Sequence, residues 1–156
     1  MNYSKITTHD ICNGDGWRVT LYVSGCARNC PGCFNTCTHD PNAGTLFTHK
    51  TKEIIWNELS KDEIDGLTFL GGEPLSILSD NRKTVIEFAK ETKERFPHKN
   101  IWLYTGYTLE EIKNDPTMID IMSYVDVIID GPFIESLKDT TLKFRGSSNQ
   151  KIYYKF

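Results

Sequence analysis

The sequence has no apolar run approaching the roughly 18 residues that a membrane-crossing helix needs. Its opening stretch, Met1 to Asp10, is polar and lacks the hydrophobic centre of a signal peptide. A soluble, cytoplasmic protein with no membrane partner is expected. Basic charge is not in excess either: 18 Lys and Arg face 21 Asp and Glu, for a net charge of -3 and a pI near 5.8. Nucleic acid is therefore not an expected partner. No repeat, low-complexity segment or interdomain linker interrupts the chain, so residues 1–156 are read as one domain. That length cannot make a complete eight-fold βα barrel, which takes about 200 residues or more. Five cysteines, an odd number, fit reduced thiols in the cytosol better than a disulfide framework. His9, His39, His49 and His98 show no i, i+4 pair or other ligand spacing, and surface or capping roles are expected for them.

Three of the cysteines are crowded into Ser24-Gly25-Cys26-Ala27-Arg28-Asn29-Cys30-Pro31-Gly32-Cys33. This C-x3-C-x2-C spacing suits an iron–sulfur cluster held at three corners. Ordinary ferredoxin clusters take four thiolates and pass electrons, whereas a cluster short of one ligand can bind a small molecule and act on it. An enzyme is the leading reading. Cys37 adds a fourth thiol nearby, which leaves open a four-thiolate zinc site, although structural zinc usually draws on two separated pairs. Thiols ligate only when deprotonated, so the loop needs electropositive character; Arg28 could supply it or be a solvated surface charge. Cys12 has no place in the triad.

Trp17 to Ser24 is β-branched and aromatic and runs into the cysteine loop, which predicts a strand with the cysteines at its C-terminal end. Further strands are predicted at Leu67 to Leu70, Ile101 to Thr105 and Val125 to Asp130, with Ile152-Tyr153-Tyr154 as a final edge strand. Helical spacing is predicted over Thr51 to Leu59, Asp80 to Phe96 and Leu109 to Lys113. Strands alternating with helices imply parallel pairing, with both sheet faces largely covered. The α/β fold expected is an incomplete, open βα barrel of mostly parallel strands. Its C-terminal strand edge would gather the cysteine loop, Gly71-Gly72-Glu73-Pro74, Thr105-Gly106-Tyr107 and Asp130-Gly131-Pro132, where ligands sit in such folds. Some of these glycines and prolines could equally serve only to end strands.

The cysteine spacing followed by Leu70-Gly71-Gly72-Glu73-Pro74 resembles the radical S-adenosylmethionine enzymes. The resemblance implies a 4Fe-4S cluster on Cys26, Cys30 and Cys33, with S-adenosylmethionine chelating the open iron. It also implies that Gly71, Gly72 and Glu73 hold the methionine amino group. Adenine contacts would come from the backbone at Gly32, beside Cys33, and from Phe34. Many members have an aromatic where this chain has Gly32. Phe34 in ordinary loop packing is the plain alternative.

Asn13-Gly14-Asp15-Gly16-Trp17-Arg18 resembles the glycine-rich lead-in of glycyl-radical-enzyme activases. Cys33-Phe34-Asn35, Trp102 to Tyr107, Ile129 to Phe133 and Phe144 to Gln150 resemble the activases of anaerobic ribonucleoside-triphosphate reductases. The resemblance implies a 5'-deoxyadenosyl radical that takes hydrogen from a backbone glycine of the reductase large subunit. It also implies a flavodoxin-like electron donor, and either a homodimer or a complex with a dimeric reductase. No catalytic side chain is required, since the cofactors carry the chemistry. The run Phe144 to Gln150, with Arg145, is expected to serve the partner. Two other readings stay open: a radical S-adenosylmethionine enzyme acting on a small molecule such as a pterin, and a zinc-binding interaction module.

Overall fold

A computed structural model describes residues 1–155. Seven strands form one sheet: β1 (Asn2–Asp10), β2 (Arg18–Val23), β3 (Thr45–Leu46), β4 (Gly66–Gly71), β5 (Asn100–Tyr104), β6 (Val127–Asp130) and β7 (Lys151–Tyr154). Their order is β3-β1-β2-β4-β5-β6-β7. The fold is thus a mixed α/β one whose central strands β2, β4, β5 and β6 pair in parallel. Antiparallel strands flank them on both sides, β1 with β3 beside β2 and β7 beside β6.

Three α-helices connect the parallel strands: α1 (His49–Leu59), α2 (Asn81–Arg95) and α3 (Leu109–Asn114). Period-2 alternation sorts the strand residues into two faces. Val19, Leu21, Val23, Leu67, Phe69, Ile101, Leu103 and Ile128 form one core with Ile55, Trp56, Leu59, Val85, Phe88, Ala89, Leu109 and Ile112 of the helices. Phe88 sits at its centre, with ring centroids 5.1 Å from Phe47, 5.7 Å from Trp56 and 5.9 Å from Phe69. The buried indole of Trp56 donates to Thr92 Oγ1 at 3.0 Å, so this apolar packing leaves no orphaned N–H there.

All three helices therefore pack on one face of the sheet, not on both as the alternation of elements suggested. The opposite face presents Arg18, Tyr22, Thr68, Leu70, Trp102, Tyr104, Val127 and Ile129. A smaller cluster covers part of it, in which Trp102, Val127 and Ile129 meet Tyr104, Phe144 and Ile152. Phe144 stands edge-on to Trp102 at 5.2 Å, and Lys143 reaches Asp15 at 2.8 Å.

Arg18 closes the N-terminal end of that face. Fully buried, its guanidinium donates to Thr68 Oγ1 (2.6 Å), the Leu67 carbonyl (2.7 Å), Asn100 Oδ1 (2.7 Å) and the Asp15 carbonyl (3.1 Å), and it lies 5.2 Å from the Trp102 ring. Burial lowers its pKa to about 10, which leaves it charged at neutral pH. One cation thus ties the starts of β2, β4 and β5 together.

The C-terminal ends of the same strands are stitched by backbone. The Gly72 amide donates to the Val23 carbonyl (2.8 Å), Glu73 to Gly25 (2.9 Å), Thr105 to Ile129 (2.9 Å) and Gly131 to Tyr107 (3.0 Å). Asn81, fully buried at the start of α2, donates to the carbonyls of Ser24 (2.8 Å) and Glu73 (3.3 Å). Four loops separated in sequence become one platform.

Candidate active site

A cavity of about 690 Å³ opens on this platform. Cys26, Cys30 and Cys33 line it together with Phe34, Gly71, Gly72 and Glu73, so these residues meet around one space. Gly32 is not among the lining residues. Its left-handed φ of 70° turns the loop and favours glycine, while the nearest neighbour of a Cβ there, the Glu135 carboxyl, ends a flexible exposed side chain. Phe34 lines the cavity and is 78% exposed.

All five cysteines are free thiols. Partial burial pushes the Cys26 thiol up, while the backbone N–H groups of Arg28 and Asn29 donate to it and pull it back. The two amides offset only part of that rise. Among the described residues, no three His, Cys, Asp or Glu side chains converge to hold a single metal ion. A cluster makes a different demand, because each thiolate sits on its own iron. Three free thiols on one short loop with an adjoining cavity fit a three-cysteine cluster. Cys37 is exposed and does not line the cavity, whereas Cys12 does.

Glu73 is held in a way that its sequence motif does not disclose. Its side chain is buried, and both carboxylate oxygens are engaged within the chain. Oε1 accepts from the Leu75 amide (3.0 Å) and the Thr105 hydroxyl (2.7 Å); Oε2 accepts from the Gly106 amide (2.7 Å) and lies 3.6 Å from Arg28 Nε. Burial raises its pKa, and these donors oppose the rise. Thr105 and Gly106 thus do more than end β5. Asp130 has a comparable structural use, accepting from the Leu109 amide (2.8 Å) and the Lys151 amide (3.2 Å).

Gly72 packs just as tightly. A Cβ there would lie 2.7 Å from the Gly25 carbonyl oxygen and 2.9 Å from that of Thr38, both backbone atoms at the base of the cysteine loop. Any side chain at this position would push that loop off the end of β4.

Sequence reasoning missed three cavity residues. His39 lines the cavity with Nε2 buried and without a partner among the described residues, although no ligand spacing marks it. Tyr104 is similar: its hydroxyl is buried without a partner among the described residues, and burial raises its pKa. Tyr22, whose hydroxyl accepts from Asn13 Nδ2 at 3.0 Å, adds a second phenol. Tyr22 and Tyr104 alternate with core residues on their strands, and that period was the available signal.

The run Phe144 to Gln150 is largely bound to the loop after β6. Gln150 Oε1 accepts from the amides of Gly146 (2.9 Å) and Ser147 (3.2 Å), Gln150 Nε2 donates to the Gly131 carbonyl (3.0 Å), and Asn149 donates to that of Pro132 (2.8 Å). Arg145 is the exception. It donates to the Gln150 carbonyl at 3.2 Å, yet its Nε is buried without a partner among the described residues, and it lines the cavity.

Comparison with known proteins gives the chain a family. Residues 12–153 match the family described as a 4Fe-4S single cluster domain. The anaerobic ribonucleoside-triphosphate reductase-activating protein of Enterobacteria phage T4 is 43% identical over 153 residues, covering 98% of this chain and 94% of that protein. The protein of the same name from Pasteurella multocida (strain Pm70) is 42% identical over 155 residues, covering 98% and 97%. That from Escherichia coli (strain K12) is 37% identical over 156 residues, covering 99% of each. Identity at this level over nearly the whole of both sequences means that the chain belongs to the family of anaerobic ribonucleoside-triphosphate reductase-activating proteins.

Proposed function

We propose that this chain is an activating enzyme that installs a glycyl radical on the large subunit of an anaerobic ribonucleoside-triphosphate reductase. The observation that carries the reading is the meeting of Cys26, Cys30 and Cys33 with Gly71, Gly72 and Glu73 around one cavity, in a chain of this family. The cavity's size falls within the range of about 300–1,000 Å³ typical of small-molecule sites. Bound there, a 4Fe-4S cluster and S-adenosylmethionine would supply an electron and a 5'-deoxyadenosyl radical able to take hydrogen from a glycine of the partner.

The chain's own residues hold and shield. The thiolates of Cys26, Cys30 and Cys33 would hold the cluster and leave one iron open. The backbone of Gly71 and Gly72 would receive the methionine amino group, while the Glu73 carboxylate keeps that turn in place. Phe34, which lines the cavity, and the backbone at Gly32, which adjoins it beside Cys33, would approach the adenine. No side chain need act as acid or base, since a hydrogen atom moves without separate proton transfer.

The architecture suits a protein substrate. Residues 1–156 act as one radical S-adenosylmethionine domain, an incomplete barrel. In support of that reading, the helices all lie on one face of the sheet, as on the outside of a barrel. The other face, with Tyr22, Leu70, Tyr104 and Ile129 along the cavity, is where a partner strand or hairpin enters. The seated partner completes the wall of the cavity and excludes water and stray hydrogen donors. A flavodoxin-like protein supplies the electron, in the cytoplasm, and the activase works as a homodimer or bound to the reductase. No helix among the described residues is long and apolar enough to cross a membrane.

Anaerobic purification tests the cofactor assignment. Brown protein with iron and sulfide is expected, and serine at Cys26, Cys30 or Cys33 should abolish both, whereas Cys37→Ser should retain them. Colourless protein containing zinc, or equal loss at Cys37, would overturn the open-iron site.

A further inference from the structure

Arg28 lies between the first two cysteines of the loop, where a charged residue ordinarily points to solvent. Here it is clamped. Its side chain is only 26% exposed, with Nε 3.6 Å from the buried Glu73 carboxylate and the guanidinium 4.3 Å from the Tyr107 ring centroid. A Cβ on Gly106 would run into the Arg28 side chain, so glycine at the end of β5 makes room for it. Among the described residues, no hydrogen bond joins residues 27–32 to the sheet or the helices. The contacts of Arg28 are therefore what tie the middle of the cysteine loop to the strand ends.

We propose that Arg28 is a positioning residue, which locks the cysteine loop against Glu73 and Tyr107 and keeps a positive charge beside the cluster site. The inference rests on the cluster assignment made above. Guanidinium suits both contacts, since it pairs with a carboxylate and stacks on an aromatic face with little entropy lost. Two consequences follow. The loop is pre-organised, so its thiols are presented together at the cavity. The Glu73 charge, which disfavours both a nearby thiolate and an added electron, is offset.

The test compares Arg28→Ala, Arg28→Gln and Arg28→Lys with the wild type after anaerobic reconstitution, and reads three quantities: the rate of iron loss to a chelator, the midpoint potential of the cluster, and the thermal stability of the apoprotein. Arg28→Ala and Arg28→Gln should lose iron about 10-fold faster or more, as expected when a group supporting a metal ligand is removed. Their potentials should move to more negative values, while the apoproteins melt close to the wild type. Arg28→Lys should restore the potential, because the charge returns, but only part of the retention, because the stack does not. Tyr107→Leu, which leaves the loop sequence intact, should speed iron loss without removing the charge. Wild-type rates and potential in Arg28→Ala, with a normal melt, would overturn the proposal and leave the cluster assignment standing. A wild-type protein that takes up no iron and sulfide would overturn both.

Discussion

Glu73→Ala separates two uses of the residue that the motif alone cannot distinguish. The substitution removes both oxygens that accept from Leu75, Thr105 and Gly106 and leaves Arg28 without its counter-charge. A donor left unsatisfied in the interior costs about 1–3 kcal/mol. The cavity adjoins Glu73 and lets water reach some of these groups, so the lower end applies to each, and the sum is about 3–5 kcal/mol. A domain of this size is stable by about 5–15 kcal/mol, so the protein should still fold. Its melting temperature should fall by about 6–20 °C, from the usual 2–4 °C for each kcal/mol at this chain length. Glu73→Gln keeps one acceptor oxygen and should lose less than half as much. Urea titration and thermal melts of the anaerobic apoprotein measure these changes, with S-adenosylmethionine affinity measured on reconstituted protein alongside. Apoprotein stability unchanged by Glu73→Ala, with cofactor affinity lost, would refute the reasoning, because the carboxylate would then serve the ligand and not the loops.

Three further outcomes are expected. Gly72→Ala should impair cluster retention as well as S-adenosylmethionine binding, because its methyl would meet backbone oxygens of Gly25 and Thr38; full iron and sulfide with only cofactor affinity lost would contradict that packing. Burial raises the Glu73 pKa above 4.5, so the folded state binds that proton more readily than the unfolded one. Its contribution to stability is present in full below the ordinary carboxylate pKa and declines as pH rises through the raised value; melts of wild type and Glu73→Gln across this window should diverge, and parallel curves would refute the assignment. Arg145→Ala should still cleave S-adenosylmethionine under a strong artificial reductant yet install little radical in the reductase, since its unpartnered Nε is available to a partner's main chain; equal loss of both steps would assign Arg145 to the cofactor or the fold.

The central strands were legible because they are apolar runs ended by glycine. Predicted and observed bounds for β2, β4, β5 and β6 differ by no more than two residues. β1 escaped because Asn2–Asp10 is polar and irregular: its pairing with β2 shifts register twice, and its burial does not alternate cleanly. The placement of all three helices on one face was equally hidden, since continuous apolar strands read alike whether helices cover one face or two. At the site, the thiols and the Gly71-Gly72-Glu73 turn were evident as local motifs. The partners of Glu73, at Arg28 and at Thr105 and Gly106, lie more than thirty residues away. Arg18 gave no warning either, because an arginine opening a strand normally reads as exposed. Its cradle of carbonyl and side-chain oxygens exists only once three strands align.

The most direct test of the central claim mixes the anaerobically reconstituted protein with S-adenosylmethionine, a reductant and the large subunit of an anaerobic ribonucleoside-triphosphate reductase, then records electron paramagnetic resonance. The account predicts a glycyl radical signal on the large subunit that requires every component and disappears when Cys26, Cys30 or Cys33 is replaced by serine. An intact cluster that cleaves S-adenosylmethionine but leaves the large subunit without a radical would contradict it.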